Sequence, residues 1–176
     1  MNRVKYIILW GLCLVLCAAQ PSVSNETLFR RTLSRLETAV RQGDTGTIRN
    51  LVRFPFLTAP QWTNEDLKEH AANPAKGWVD AQEFGRYYAD IFHADVDRLL
   101  PGAKESNLSV IAKDTKEDYY RRLMARSDAG TPLYEVYFQY PEARSGGDSY
   151  FGFVFGRVSG QYKVISYYGK WPVKPS

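Results

Sequence analysis

The chain has 176 residues, of which 44% are hydrophobic and 14% aromatic, so it has the apolar material for a sizeable core. Its formal net charge of +4 is too small to indicate a polyanionic partner such as a nucleic acid. Both cysteines, Cys13 and Cys17, lie near the N-terminus, so the rest of the sequence offers no disulfide, cysteine nucleophile or thiolate metal site.

Residues 1–19 have the pattern of an export signal. Arg3 and Lys5 precede an apolar run from Tyr6 to Leu16, and residues 17–19 then supply the small side chains of a cleavage site. The pattern predicts that this segment directs the chain out of the cytoplasm, in the simplest case to a bacterial periplasm.

Cleavage after this signal would leave residues 20–176 as a single domain beginning at Gln20. This mature chain would have 21 basic and 19 acidic residues and a net charge of +2. Two alternatives stay open: retention as a membrane anchor, for which the apolar run is short, and lipidation of Cys17, for which Leu16 is larger than the usual residue.

Helical patterning dominates the first half of the chain. Apolar residues recur at helical spacing from Glu26 to Gln42, and Gly43 is placed to end that helix. Further helices are predicted for Thr45 to Val52, for Glu65 to Ala72 and from Asp80 to Pro101. The last of them has an aromatic side with Phe84, Tyr87, Tyr88, Ile91 and Phe92, and a polar side with Glu83, Arg86, Asp90, His93 and Asp97.

Strand patterning dominates the second half. A strand is predicted for Asn107 to Ala112, followed by a short helix over Asp114 to Met124 that opens with a capping box. Beyond this helix, apolar residues recur at every second position. This alternation predicts strands over Leu133 to Tyr140, Tyr150 to Val158 and Gln161 to Tyr168.

The last two of these strands are joined by Ser159-Gly160, which predicts a tight hairpin turn. Gly152 and Gly156 within a strand indicate a bend or a close backbone approach. Helices first and strands last predict an α+β fold, in which N-terminal helices pack on a curved antiparallel sheet formed mainly by the C-terminal half.

Three segments together suggest a known architecture: the stretch from Leu51 to Phe56, the aromatic helix from Phe84 through Phe92, and the aromatic terminal hairpin. In their order the chain resembles small exported bacterial proteins with a nuclear-transport-factor-like fold, the SnoaL and ketosteroid-isomerase type. The resemblance covers most of Glu26 to Tyr168. It implies a cone of curved sheet closed by helices, and this fold hosts isomerases, dehydratases and binding modules, so no function follows from it.

The two histidines of the chain, His70 and His93, are candidates for metal ligands. Asp90 and Asp97 stand three residues before and four residues after His93, a spacing that suits a metal or an imidazole–carboxylate pair. Because this side of the helix is opposite the aromatic side, we interpret it as a solvated polar face. His70 follows Asp66 by four residues, which favours surface charge pairing. No metal site and no cofactor are predicted.

Asp95 is the candidate for a catalytic residue. If the aromatic helix continues, Asp95 falls within its apolar arc between Ile91 and Leu99, where burial would raise its pKa and allow it to act as a general base. The alternative, which we favour, is that the helix breaks at Ala94 and Asp95 caps a following turn from Val96 to Leu100.

The aromatic residues exceed what one face of a sheet needs. Tyr88, Tyr137 and Tyr167 are therefore candidates for lining a ligand pocket or a protein-binding patch. Packing in the core or at its rim is the other use of such residues, and it is the more common one.

These observations lead to three hypotheses for function. The first is an exported, non-catalytic binding domain for a small apolar ligand or a protein partner. The second is an immunity-type protein that occludes the active site of a secreted toxin. The third is an isomerase- or hydratase-like enzyme that uses Asp95. No nucleic-acid partner and no membrane span after signal cleavage are expected, and the oligomeric state stays open.

Overall fold

The structure is a computed structural model, and it describes residues 23–58, 77–142, 146–170 and 173. The predicted export signal, the helix predicted for residues 65–72 and His70 lie outside the described residues. Within the described residues, no helix is both long enough and apolar enough to cross a bilayer.

The helices and strands follow the order that the sequence patterns predict. The α-helices are α1 (Asn25–Gln42), α2 (Thr45–Leu51), α3 (Phe84–Ile91), α4 (Ala94–Leu99) and α5 (Asp118–Met124), with short 3-10 turns at Leu100–Gly102 and Glu105–Asn107. The strands are β1 (Val52–Leu57), β2 (Trp78–Val79), β3 (Leu108–Ile111), β4 (Leu133–Pro141), β5 (Asp148–Val158) and β6 (Gln161–Gly169).

Helix α1 begins and ends where local chemistry places its caps. The hydroxyl of Ser24 accepts a hydrogen bond from the backbone N–H of Thr27 at 3.1 Å, which satisfies a donor of the first turn. Gly43 ends the helix in the left-handed conformation, at φ 63°, which glycine adopts without a Cβ clash. The prediction for this helix is confirmed.

The sheet has six strands in the order β2-β1-β6-β5-β4-β3. The C-terminal half contributes β3 to β6 as an antiparallel meander, so the predicted α+β class and the curved sheet are confirmed. The sheet is mixed, however, because β1 runs parallel to β6. The prediction did not include this parallel pair, since the pairing of the first strand with the last is a long-range contact that no local pattern indicates.

The inner face of the sheet packs against the N-terminal helices and forms the main core. Alternate residues of β4 and β5 supply most of its strand side, as the period-two pattern predicts. Its members from helices and strands include Phe29, Leu36, Ile48, Phe84, Ile91, Phe92, Phe151, Phe153 and Phe155.

The outer face of the sheet carries a second core beneath α5. Tyr119, Tyr120 and Leu123 of α5 are buried against this face together with strand residues that include Val154 and Tyr168. The capping box expected at Asp114 and Glu117 does not form, because α5 begins only at Asp118. Helix α5 therefore buries a part of the outer face that would otherwise be exposed to solvent.

The aromatic helix predicted as one element is broken near its middle. Phe92 leaves the helical conformation at φ −101° and ψ 62°, and His93 is extended at φ −78° and ψ 171°. Helix α4 then starts at Ala94, so the break expected at that residue is found. Asp95 is not the cap of α4, because His93 occupies the N-cap position.

Candidate functional site

A groove lies between α2 and α3 on the helical side of the molecule. Its volume is about 310 Å³, which is the lower end of the range for small-molecule sites. Two short helices meet at this point because α2 leads directly into β1, while α3 packs its buried Phe84 against β1. The groove is lined by Thr45, Gly46, Arg49, Phe84, Gly85 and Tyr88.

Aromatic rings form the floor of the groove. The ring of Phe84 is 2% exposed and meets the ring of Phe54 edge to face, with their centroids 5.2 Å apart. Tyr88 contacts Phe84 at 5.9 Å and stacks on Phe92 at 5.0 Å. These contacts hold Tyr88 half-buried, so the floor is apolar and fixed in shape.

Glycines keep the groove open on both helices. Gly46 belongs to α2 and Gly85 to α3, and both line the groove. A Cβ added at Gly85 would meet no heavy atom within 4 Å. A larger side chain at Gly85 would therefore occupy the groove without displacing the core.

Arg49 supplies a positive charge at the edge of the groove. Its guanidinium carbon lies 5.7 Å from the centroid of the Phe54 ring, a cation–π contact that places the group over the aromatic floor. The residue is exposed, and within the described part of the chain no salt bridge joins it to a carboxylate. Its charge is thus available to an anionic group of a ligand.

The hydroxyl of Tyr88 stays protonated at neutral pH. Burial raises the pKa of the Tyr88 phenol, and the negative charge of Asp97 raises it further. Tyr88, a candidate from the sequence, therefore lies at the groove as a neutral hydrogen-bond donor with an apolar ring.

The other two candidate tyrosines lie elsewhere. Tyr167 is 4% exposed and packs on Phe153 at 5.1 Å within the inner core, where burial raises its pKa. Tyr137 is 36% exposed and belongs to the outer face of the sheet, with its ring 6.5 Å from that of Tyr168. The structure does not bring these residues together with Tyr88.

Asp95 lies in the first turn of α4 and faces solvent in part. Its carboxylate accepts a hydrogen bond from Arg98 at 2.6 Å, and its side chain is 40% exposed. The position is ion-paired and partly exposed, and it lacks the apolar enclosure that a catalytic aspartate of the isomerase type would need.

His93 is half-buried, so the expectation of a solvated face was wrong for this residue. The break after Ile91 turns the imidazole toward the sheet, where it meets the ring of Phe151 at 5.8 Å and 88°. Burial lowers the pKa of His93, and the carboxylates of Asp95, Asp90 and Asp97 act in the opposite direction. Among the described residues, no three His, Cys, Asp or Glu side chains are grouped to hold a metal ion.

A buried polar cluster on the outer face was not found from the sequence. Glu135 is 9% exposed, and its Oε1 accepts hydrogen bonds from the hydroxyls of Tyr120 at 2.6 Å and Tyr168 at 2.8 Å. The Cβ of an alanine at Gly152 would lie 2.3 Å from Cζ of Tyr168, so this glycine makes room for the ring. The close approach predicted at Gly152 thus involves a side chain, and the cluster fixes α5 to the sheet.

Comparisons with known proteins give similarity only at the level of solved structures. Neither the family models nor the curated proteins yield a match to this chain. The NTF2 design Rd1NTF2_05 in a form with five substitutions is 12% identical, with 83% of this chain and 99% of that chain covered and a TM-score of 0.38.

Two natural proteins are similar to the same degree. The beta subunit of benzoate 1,2-dioxygenase from Burkholderia mallei is 8% identical, with 85% of this chain and 91% of that chain covered and a TM-score of 0.40. A protein assigned as a calcium/calmodulin dependent protein kinase II association domain, from Xanthomonas campestris, is 10% identical, with 86% and 91% covered and a TM-score of 0.38. Likenesses of this size carry no information on what the chain binds or catalyses.

Proposed function

We propose that this chain is an exported, non-catalytic binding domain, and that it holds a small amphipathic anion in the groove between α2 and α3. The observation that carries the proposal is the combination of a fixed aromatic floor with an unpaired guanidinium at its edge. An apolar ligand body would lie on Phe84 and Tyr88, and its carboxylate or sulfonate group would meet Arg49.

A binding role is favoured over the enzymatic hypothesis by the surroundings of Asp95. This carboxylate is paired with Arg98, and it belongs to α4 rather than to either helix that lines the groove. The groove itself has an aromatic floor, a cation and hydroxyl groups, which bind and orient a ligand but do not form an acid–base pair.

The export part of the proposal is supported by the sequence of residues 1–19. N-terminal sequencing of the protein recovered from the exported fraction tests it. We expect the mature chain to begin at Gln20, and a chain that keeps Met1 would refute cleavage.

The binding part is tested with 8-anilino-1-naphthalenesulfonate, a flat anionic amphiphile whose fluorescence rises when it leaves water. We expect saturable binding to the folded protein. Gly85→Leu should abolish it because the new side chain fills the groove, and Arg49→Gln should weaken it about tenfold through loss of a charged hydrogen bond.

Matched controls separate the groove from general effects. Gly102→Leu adds the same side chain at another glycine whose Cβ would meet no atom within 4 Å, and Arg122→Gln removes a charge from an exposed position of α5. Both controls should bind the dye like the parent protein. Undiminished binding by Gly85→Leu would overturn the proposed site.

A further inference from the structure

A second concentration of positive charge lies where the end of α5 meets β1. Arg126 follows α5, and its guanidinium carbon lies 4.2 Å from the centroid of the Trp78 ring. Its Nη2 donates a hydrogen bond to the carbonyl oxygen of Pro55 at 3.3 Å. The neighbouring Arg53 donates from Nη1 to the carbonyl oxygen of Phe54. The two guanidinium groups thus donate hydrogen bonds to the carbonyl oxygens of Phe54 and Pro55, which are consecutive residues of β1.

The irregular course of β1 explains why the carbonyl oxygens of Phe54 and Pro55 accept hydrogen bonds from arginine side chains. The pairing of β1 with β6 changes register between Val52 and Leu57, so the backbone between these residues departs from a regular ladder. Buried or half-buried carbonyls need a donor from elsewhere, and the arginine side chains supply it.

The charges of this arginine pair are not balanced by the described part of the chain. Neither Arg53 nor Arg126 forms a salt bridge there. The two side chains are anchored on the carbonyls of neighbouring residues of β1. Burial lowers the pKa of Arg126, and the like charge of Arg53 lowers it further. An arrangement of this kind gains stability when an anion binds between the cations.

We propose that Arg53 and Arg126 form a binding site for a phosphate or sulfate group. Each guanidinium presents five N–H donors in a planar fork, and one donor of each is used on a strand carbonyl in the contacts described above. The remaining donors suit the tetrahedral oxygens of such a group, and two positive charges match a dianion. Trp78 holds the Arg126 fork in position by the cation–π contact.

This site is separate from the groove between α2 and α3, and it uses different arginines. Its ligand chemistry is a tetrahedral oxyanion rather than an amphiphile. Inorganic phosphate and phenyl phosphate are therefore the two probes. Tighter binding of the ester would show that the site takes a phosphate carried by a larger molecule, and equal binding would indicate the free ion.

The experiment measures the thermal unfolding midpoint against phosphate concentration, with sodium chloride holding the ionic strength constant. We expect a saturable rise for the parent protein, because an anion that binds only the native state stabilises it. Arg53→Gln should weaken phosphate binding about tenfold. The phosphate response of this variant is measured against its own midpoint without phosphate, because the substitution removes both a repulsion and a hydrogen bond to the carbonyl of Phe54.

Three further variants make the result specific. Arg126→Lys keeps the charge but loses the planar fork, so it should also weaken binding. Arg122→Gln and Arg49→Gln each remove one charge elsewhere and should leave the phosphate response unchanged. The Trp78 indole N–H resonance, followed in a nitrogen–proton correlation spectrum, should shift with phosphate in the parent protein and not in Arg53→Gln.

Two results would overturn this proposal. One is the absence of a saturable phosphate effect in the parent protein. The other is an equal effect in Arg53→Gln, since binding would then not involve the arginine pair. Arg49→Gln distinguishes the two sites. This variant should weaken dye binding in the groove and leave phosphate binding at Arg53 and Arg126 unchanged.

Discussion

His93 lies between an aromatic ring of the core and a group of carboxylates. Its ring contacts Phe151, and burial lowers its pKa below the ordinary value of 6.5, while Asp95, Asp90 and Asp97 limit that shift. The neutral imidazole is therefore the form that the folded protein accommodates.

This environment predicts a loss of stability at acidic pH. As the pH falls below 6.5, the unfolded chain takes up a proton at this position before the folded chain does. The free energy of unfolding should then decrease until the pH reaches the pKa of the folded state. Urea unfolding of the parent protein and of His93→Gln, measured from neutral pH downward, checks this.

His93→Gln should have a flatter pH dependence than the parent protein in this range. His70→Gln is the matched control, because it removes the other histidine of the chain. A decrease that persists unchanged in His93→Gln, or a parent protein that becomes more stable as the pH falls below 6.5, would contradict the assignment.

Helix α5 is held to the sheet by hydrogen bonds as well as by apolar contact. Tyr120 of α5 and Tyr168 of β6 both donate to Glu135 of β4, and Tyr119 donates to the hydroxyl of Ser166, which donates in turn to the carbonyl of Leu57. Because the phenols are buried, their pKa values are raised and they remain donors over a wide pH range.

Removal of the shared acceptor should weaken this whole layer. We expect Glu135→Ala to lower the free energy of unfolding by about 1–3 kcal/mol, because two buried hydroxyls lose their partner. Chemical denaturation measures the difference. Glu83→Ala, at an exposed glutamate whose side chain makes no capping bond, should change stability by no more than about 0.5 kcal/mol. Equal effects of the two substitutions would refute the role of the cluster.

Patterns within one element were predictable from the sequence. The bounds of α1 follow from Ser24 and Gly43, and the Ser159-Gly160 turn follows from its position between two alternating strands. In both cases the residues that decide the structure are neighbours along the chain.

Features that depend on contact between distant elements were not predictable. Glu135 falls on the polar side of an alternating strand, and only the packing of α5 makes that side buried. A helix break at Ala94 was expected because aspartate favours a cap at position 95, but the periodic pattern did not indicate that Phe92 and His93 would leave the helical conformation. The half-buried position of His93 and the partial exposure of Asp95 both follow from this break.

At the scale of the whole molecule, the proposed site belongs to two helices that approach each other only in the folded chain. Tyr88 was found as a candidate because it lies within a strongly aromatic helix. Arg49 was not, since an arginine on a short helix has no distinguishing pattern until the fold places it over Phe54. A groove of this kind is a property of the assembled α2, β1 and α3, and no local stretch of sequence encodes it.

A residue-resolved map of ligand binding tests whether the groove between α2 and α3 is the binding site. Nitrogen–proton correlation spectra recorded during a titration with 8-anilino-1-naphthalenesulfonate show which backbone amides respond. We expect saturable shifts confined to α2, α3 and the neighbouring part of β1, and their loss in Gly85→Leu. Shifts centred on the outer face of the sheet, or shifts on α2 and α3 that persist in Gly85→Leu, would contradict it.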